Sequence, residues 1–142
     1  MTNQAFMDEW LALDNLQIKI KKELETVLQK EYSLSIKEFY VLYYLSEAPE
    51  KKLRLQQLQE LIGLSQSALS RLVGNMEASD CGALQKKDCT DDRRGTYTQL
   101  TEIGEQKLQR GLEAFHEVLK TNLSEVDSEG IFQQLLQNLR MT

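Results

Sequence analysis

Residues 57–78 read QLQELIGLSQSALSRLVGNMEA, and this stretch decides the fold. Leu58, Leu61 and Ile62 recur at helical spacing, and the pattern stops at Gly63, a residue suited to a helix end. Ser65 is placed to cap a second helix, expected over Gln66 to Ala78. Its inner face would be Leu69, Leu72, Val73 and Met76. Its outer face would be Gln66, Ser67, Ser70, Arg71, Gly74 and Asn75. Two helices joined by a short Gly-containing turn form a helix-turn-helix, a motif that presents its second helix to a DNA major groove. Gln, Ser, Arg and Asn are side chains that hydrogen-bond base edges and phosphates, so the outer face suits that use.

The next residues extend the reading. Gly82 to Lys87 has the pattern of a short strand, and Asp88 to Arg94 is a charged loop. Thr96-Tyr97-Thr98-Gln99-Leu100 has the alternation of a second strand. A hairpin directly after such a helix is a wing. Its tip, Asp91-Asp92-Arg93-Arg94-Gly95, offers two guanidinium groups to a minor groove, whose concentrated negative potential attracts arginine. The bland reading of the tip is a polar turn held by its own ion pairs.

The run Leu64 to Val73, then Asp92-Arg93-Arg94-Gly95, then Leu100-Thr101-Glu102-Ile103-Gly104 resembles the MarR family of winged-helix transcription regulators. The similarity covers nearly the whole chain. It implies a mainly α (α+β) fold, with a winged helix over about 35–100 and long dimerisation helices at about 4–31 and 102–141, in one domain over residues 1–142. It implies a homodimeric, ligand-responsive repressor on an inverted-repeat operator. Its DNA-binding residues would be Ser65, Gln66, Ser67, Ser70, Arg71, Asn75, Lys86, Lys87, Arg93 and Arg94. In the resembled family Asp92 would hold the wing and Arg94 would enter the minor groove. Lys86 stands where the family usually has an arginine, so a point-charge phosphate contact is expected there. Between Glu77 and Asp92 the chain is two residues longer than the common family spacing. The excess lies around Ser79-Asp80-Cys81 and implies a different helix end and a tilted or shifted wing.

The net charge of −5 argues against a DNA binder until its distribution is counted. Residues 1–50 carry −4, residues 51–94 carry +2 and residues 95–142 carry −3. The positive excess falls on the segment with the reading head, and the acidic flanks would orient that head. One hundred and forty-two residues, 41% of them apolar, make one ordinary domain with a real core. No secretory pattern and no apolar run of membrane length stands in the sequence, so a cytoplasmic protein is expected.

A first helix is expected from about Gln4 to Glu31. Phe6, Trp10, Leu13, Ile20, Leu24, Val27 and Leu28 gather on one side of it, and Leu11, Leu16 and Ile18 widen the stripe. A stripe that wide suits a helix covered by its own domain and by a partner. Ser35 with Glu38 three residues on is a capping box that opens a second helix, ending near Glu47. Lys51 to Leu55 could pair with the wing as a strand. Thr101 caps a long helix from Glu102 to about Asn122, with Leu108, Leu112, Phe115, Val118 and Leu119 inside. Asp127 or Ser128 caps a last helix through Ile131, Phe132, Leu135, Leu136 and Leu139 to Arg140. Long amphipathic helices at both ends exceed what a reading head needs, and dimerisation is the simplest use for their apolar faces.

The remaining residues carry weaker signals. Cys81 and Cys89 flank the start of the wing. They fit no zinc spacing and read first as incidental cysteines, with a redox switch as the alternative. His116 is the only histidine and reads as a packed or surface residue, so no metal and no cofactor are expected. Trp10, Tyr40, Tyr43, Tyr44 and Phe115 read first as core and second as the lining of a small-molecule pocket. There is no phosphate-binding glycine loop, nucleophile elbow or histidine-based acid–base pair, so an enzyme is not expected. A winged-helix interaction module that does not bind DNA is a further alternative, and Arg71, Arg93 and Arg94 argue against it.

Overall fold

The structure is a computed structural model that describes residues 2–78, 81–88, 96–127 and 129–141, without the side chains of Asp88 and Glu125. Six α-helices and three strands follow in the order α1 (Asn3–Tyr32), α2 (Ile36–Glu47), β1 (Lys52–Arg54), α3 (Leu55–Ile62), α4 (Gln66–Glu77), β2 (Leu84–Asp88), β3 (Thr96–Leu100), α5 (Glu102–Val126) and α6 (Ile131–Arg140). One 3-10 turn, Pro49–Lys51, precedes β1. The strands form one antiparallel sheet in the order β1-β3-β2. No described helix is long and apolar enough to cross a membrane.

The helix starts follow their capping chemistry. The Ser35 hydroxyl accepts the Glu38 N–H at 3.1 Å, and the Glu38 carboxylate accepts the Ser35 N–H at 2.8 Å, which completes the capping box. Gly63 ends α3 with φ 78°, a conformation that a side chain would strain. Ser65 then caps α4 by accepting the Ala68 N–H at 3.2 Å. At α6 the Asp127 carboxylate receives the N–H groups of Phe132 at 2.9 Å and Gln133 at 3.0 Å. Those backbone donors hold the Asp127 carboxyl below the usual carboxylate range. Its contribution to α6 is therefore present at neutral pH and is lost as pH falls through the lowered value. Ser128, the other expected cap, lies outside the described residues.

The core gathers Leu24 and Leu28 of α1 around Phe39, Leu42 and Leu45 of α2, Leu58 and Ile62 of α3, and Leu69, Val73 and Met76 of α4. Leu84, Leu100 and Leu108 close it from the sheet and α5. No residue of α1 before Leu24 belongs to this core. Phe6 is 57% exposed and Trp10 61%. No residue of α6 is buried, and Leu135 and Leu139 are 51% and 62% exposed. The apolar residues at the start of α1 and along α6 therefore find little cover within one protomer.

Leu58, Leu61 and Ile62 all lie in α3, but Leu61 is 48% exposed, because a helix of eight residues turns only one narrow stripe inward and Leu58 and Ile62, four apart, occupy it. The end of the long helix needs correction. The long helix after Thr101 runs to Val126 rather than Asn122. Asn122 is not a terminus: it is buried, and its amide donates to the Glu23 carboxylate of α1 at 2.7 Å and to the Val118 carbonyl at 2.8 Å.

The Leu-Thr-x-x-Gly segment has a clear physical task. Thr101 caps α5 by accepting the Gly104 N–H at 3.1 Å. Its hydroxyl lies 2.6 Å from the Gly82 carbonyl and 2.9 Å from that of Ala83, and its own N–H donates to Ala83 at 3.1 Å. The first turn of α5 is thus clamped to the start of β2. A Cβ at Gly104 would drive into the Ala83 carbonyl oxygen and would sit 2.6 Å from Leu100 Cδ1. Backbone cannot yield there as a flexible side chain would. Gly104→Ala is expected to destabilise the fold by about 1–3 kcal/mol, the usual cost of overpacking. Urea unfolding followed by circular dichroism checks this, and an unchanged midpoint would mean that α5 can slide off β2.

Candidate nucleic-acid interface

Helix α4 separates its faces cleanly. Leu69, Val73 and Met76 are buried, and Leu72 is half-buried. Ser65, Gln66, Ser67, Ser70, Arg71, Gly74 and Asn75 are all exposed. The sequence pattern led to this division because residues three and four apart share a helix face. Ser65 sits where the N-terminal N–H groups and the helix dipole favour an anion. Its oxygen accepts from Ala68 at 3.2 Å and lies 3.4 Å from Ser67 Oγ, so the two hydroxyls stand side by side at the helix start, where either can donate to a phosphate. Arg71 forms no hydrogen bond or ion pair among the described residues, so its five donors are presented to solvent.

Of the residues around the added length, Ser79 and Asp80 lie outside the described residues. Helix α4 stops at Glu77, and Ala78 is already extended. The Ala78 carbonyl accepts the N–H groups of Cys81 at 2.9 Å and Gly82 at 2.8 Å. From there β2 and β3 pair without interruption, from Leu84↔Leu100 to Asp88↔Thr96. The base of the wing is thus a regular hairpin. Its tip, with Asp92, Arg93 and Arg94, lies outside the described residues, as does Cys89.

Lys86 and Lys87 lie on opposite sides of the hairpin. Neighbouring strand residues face opposite sides of a sheet. Lys86 pairs in register with Thr98, whose side chain is buried, and so leans toward α4. There its ammonium lies 3.9 Å from Glu77 Oε2. Lys87 pairs with Tyr97 on the outer side. On that side Lys52 Nζ lies 4.7 Å from the centre of the Tyr97 ring, and Arg54 Cζ lies 5.3 Å from it. The β1 cations and Glu77 escaped the sequence reading. The cations belong to the strand expected over Lys51 to Leu55, which does pair with β3, but three residues carry no sign of what they will face, and the partner of Glu77 lies in a hairpin nine residues on.

The aromatic set expected to line a pocket is not gathered in one place. Phe115 and Tyr40 pack around Phe39, with ring centres 6.0 and 6.3 Å from it. Tyr44 packs at the edge of the core against Tyr43, which is itself exposed. Trp10 stands apart on the uncovered half of α1. A cleft of about 500 Å³ does open elsewhere, between α1, α4 and α5. It is lined by Tyr32, Ser33, Asn75, Cys81, Lys107 and Arg110, among others. Lys107 Nζ lies 3.5 Å from Cys81 Sγ in this cleft. His116 is exposed, and no group of three or more potential metal ligands is gathered among the described residues.

A helix-turn-helix followed by a β-hairpin and enclosed by long terminal helices defines a winged-helix regulator. The chain belongs to the SarA/Rot family of transcriptional regulators, whose family model matches residues 23–110. Its fold is that of the MarR regulators. It is similar to Sco3205 of Streptomyces coelicolor, a MarR family regulator solved in complex with DNA. That likeness has a TM-score of 0.82 at 20% identity and covers 99% of this chain and 87% of the other. A MarR family protein from Bacillus stearothermophilus aligns with a TM-score of 0.80 at 22% identity, over 99% and 96% of the two chains. The regulator BldR of Sulfolobus solfataricus aligns with a TM-score of 0.75 at 28% identity, over 99% and 96%. No curated protein matches the chain in sequence.

Proposed function

We propose that the chain is a homodimeric repressor that binds an inverted-repeat DNA operator in the cytoplasm. Each protomer would lay α4 in a major groove and its wing over the flanking minor groove. Ser65, Gln66, Ser67, Ser70, Arg71 and Asn75 are the base and phosphate contacts, with Lys86, Lys87, Arg93 and Arg94 on the wing and Asp92 holding it. The observation that carries this reading is the wholly polar, exposed outer face of α4 opposite a buried one. Helices α1, α5 and α6 would supply the dimer interface, and the support for this is that Phe6, Trp10 and Leu11 of α1 and Leu135 and Leu139 of α6 lack cover in one protomer. The chain acts as a regulator and not as an enzyme. A small-molecule effector fits the cleft between α1, α4 and α5, because Asn75 lies on both the cleft wall and the reading face.

Footprinting on the DNA upstream of its own gene tests the reading. Protection of an inverted repeat with half-sites about 10–10.5 bp apart is expected, since both helices must meet one face of the duplex. Binding that heparin abolishes equally on operator and on unrelated DNA would instead favour an interaction module.

A second reading, redox sensing through Cys81 and Cys89, has one observation in its favour. Lys107 Nζ lies 3.5 Å from Cys81 Sγ, so the sulfur has a cationic neighbour in the cleft. On the preferred reading, the Cys81→Ser, Cys89→Ser double variant releases DNA under peroxide no differently from the parent. A peroxide response present in the parent and lost in the variant would establish the switch.

A further inference from the structure

We infer that Glu77 limits the affinity of the reading head by holding Lys86 of the wing as a neutralised pair. The inference rests on the DNA-binding reading above. Glu77 is the last residue of α4, and Lys86 lies on the side of β2 that faces α4. The two meet in a groove of about 250 Å³ between helix and wing, which Ser70, Gly74, Thr96 and Thr98 also line. Ser70 is itself one of the expected DNA contacts, so the pair sits beside the surface that would meet phosphates.

The partners are unequal. The Glu77 side chain is 15% exposed and that of Lys86 70%. Glu77 Oε1 is buried with no hydrogen-bond partner, and Lys86 lies 3.9 Å from the other oxygen. Among the described residues no other cation comes within ion-pair distance of this carboxylate. A carboxylate in this position is compensated by Lys86 alone. If Lys86 swings out to a DNA phosphate, it leaves a largely buried charge without its counterion. The pair therefore competes with the phosphate for the same ammonium, and Glu77 is a positioning residue that acts through Lys86.

Salt-dependent titration of a mixed-sequence duplex, long enough for both reading helices, separates the outcomes. Glu77→Gln keeps the shape and removes the charge. It is expected to tighten binding by about two- to twentyfold in a dimer, where two such pairs are released. The plot of log affinity against log salt should steepen by up to about two, close to one for each lysine freed. Both changes should vanish when Glu77→Gln is added to Lys86→Ala and compared with Lys86→Ala alone. Unchanged or weaker binding by Glu77→Gln overturns the inference. So does a gain that persists without Lys86, since Glu77 would then act on the DNA directly. If Glu77→Gln melts early, Glu77→Met, unbranched and uncharged, carries the same comparison. A parent protein that binds no duplex at any salt would sink the DNA-binding reading itself, whereas normal parental binding with an indifferent Glu77→Gln sinks only this inference.

Discussion

Replacing Leu135 and Leu139 with glutamate should split the protein into 16.4 kDa chains and remove nearly all operator binding. Both side chains are exposed on α6, which buries nothing within its own protomer. Two carboxylates on that face would have to be desolvated in any dimer, at a cost of several kcal/mol for each unpaired charge. The protomer fold should survive, because neither leucine belongs to the core. Loss of DNA affinity follows from geometry alone. Two linked reading heads gain about 10²–10⁴ in avidity over one, and a monomer forfeits it. Analytical ultracentrifugation with a parallel gel shift checks both parts. A variant that remains dimeric would mean that α6 is not in the interface, and α1 would have to carry it.

Arg71→Ala should produce the second large effect and leave the dimer intact. Arg71 lies one helical turn beyond Ser67 on the exposed face of α4, free of intramolecular partners among the described residues. A lost bidentate contact to a base edge costs about 1–3 kcal/mol, and a symmetric dimer loses it twice. Arg71→Lys should recover only part of the loss, because an ammonium keeps the charge without the planar fork. Operator titration decides the matter. Equal affinities for parent and alanine variant would remove Arg71 from the interface.

How far the chain was legible depended on the range of the forces involved. Caps are local, so Ser35 with Glu38, Gly63, Ser65 and Thr101 marked element ends from residue type and spacing. The faces of α4 were legible because a helical period is a local property as well. The end of α5 was not, since nothing in residues 119–126 forbids continuation and Asn122 is turned inward by a carboxylate 99 positions earlier. The exposure of Leu61 was not legible, because a period does not reveal how wide a stripe the neighbours will cover. Lys86 and Lys87 looked like one basic site until strand register sent them to opposite sides. The Glu77–Lys86 pair arises only when the end of a helix meets a hairpin folded back beside it.

The clamp between Thr101, Gly104 and the start of β2 joins the wing to a rod of 25 residues. At the α-helical rise that rod is about 37 Å long, so pivoting it by about 5° displaces one end by roughly 3 Å. The other end of the rod lies where two protomers would meet. In the proposed dimer, any small tilt between the subunits would be delivered, magnified, to the wing and to α4 beside it. Spacing between two reading heads becomes a mechanical variable, set by how the rods cross. Operators of slightly different half-site separation would select different crossing angles, and a ligand bound in the cleft beside α5 would favour one angle over another.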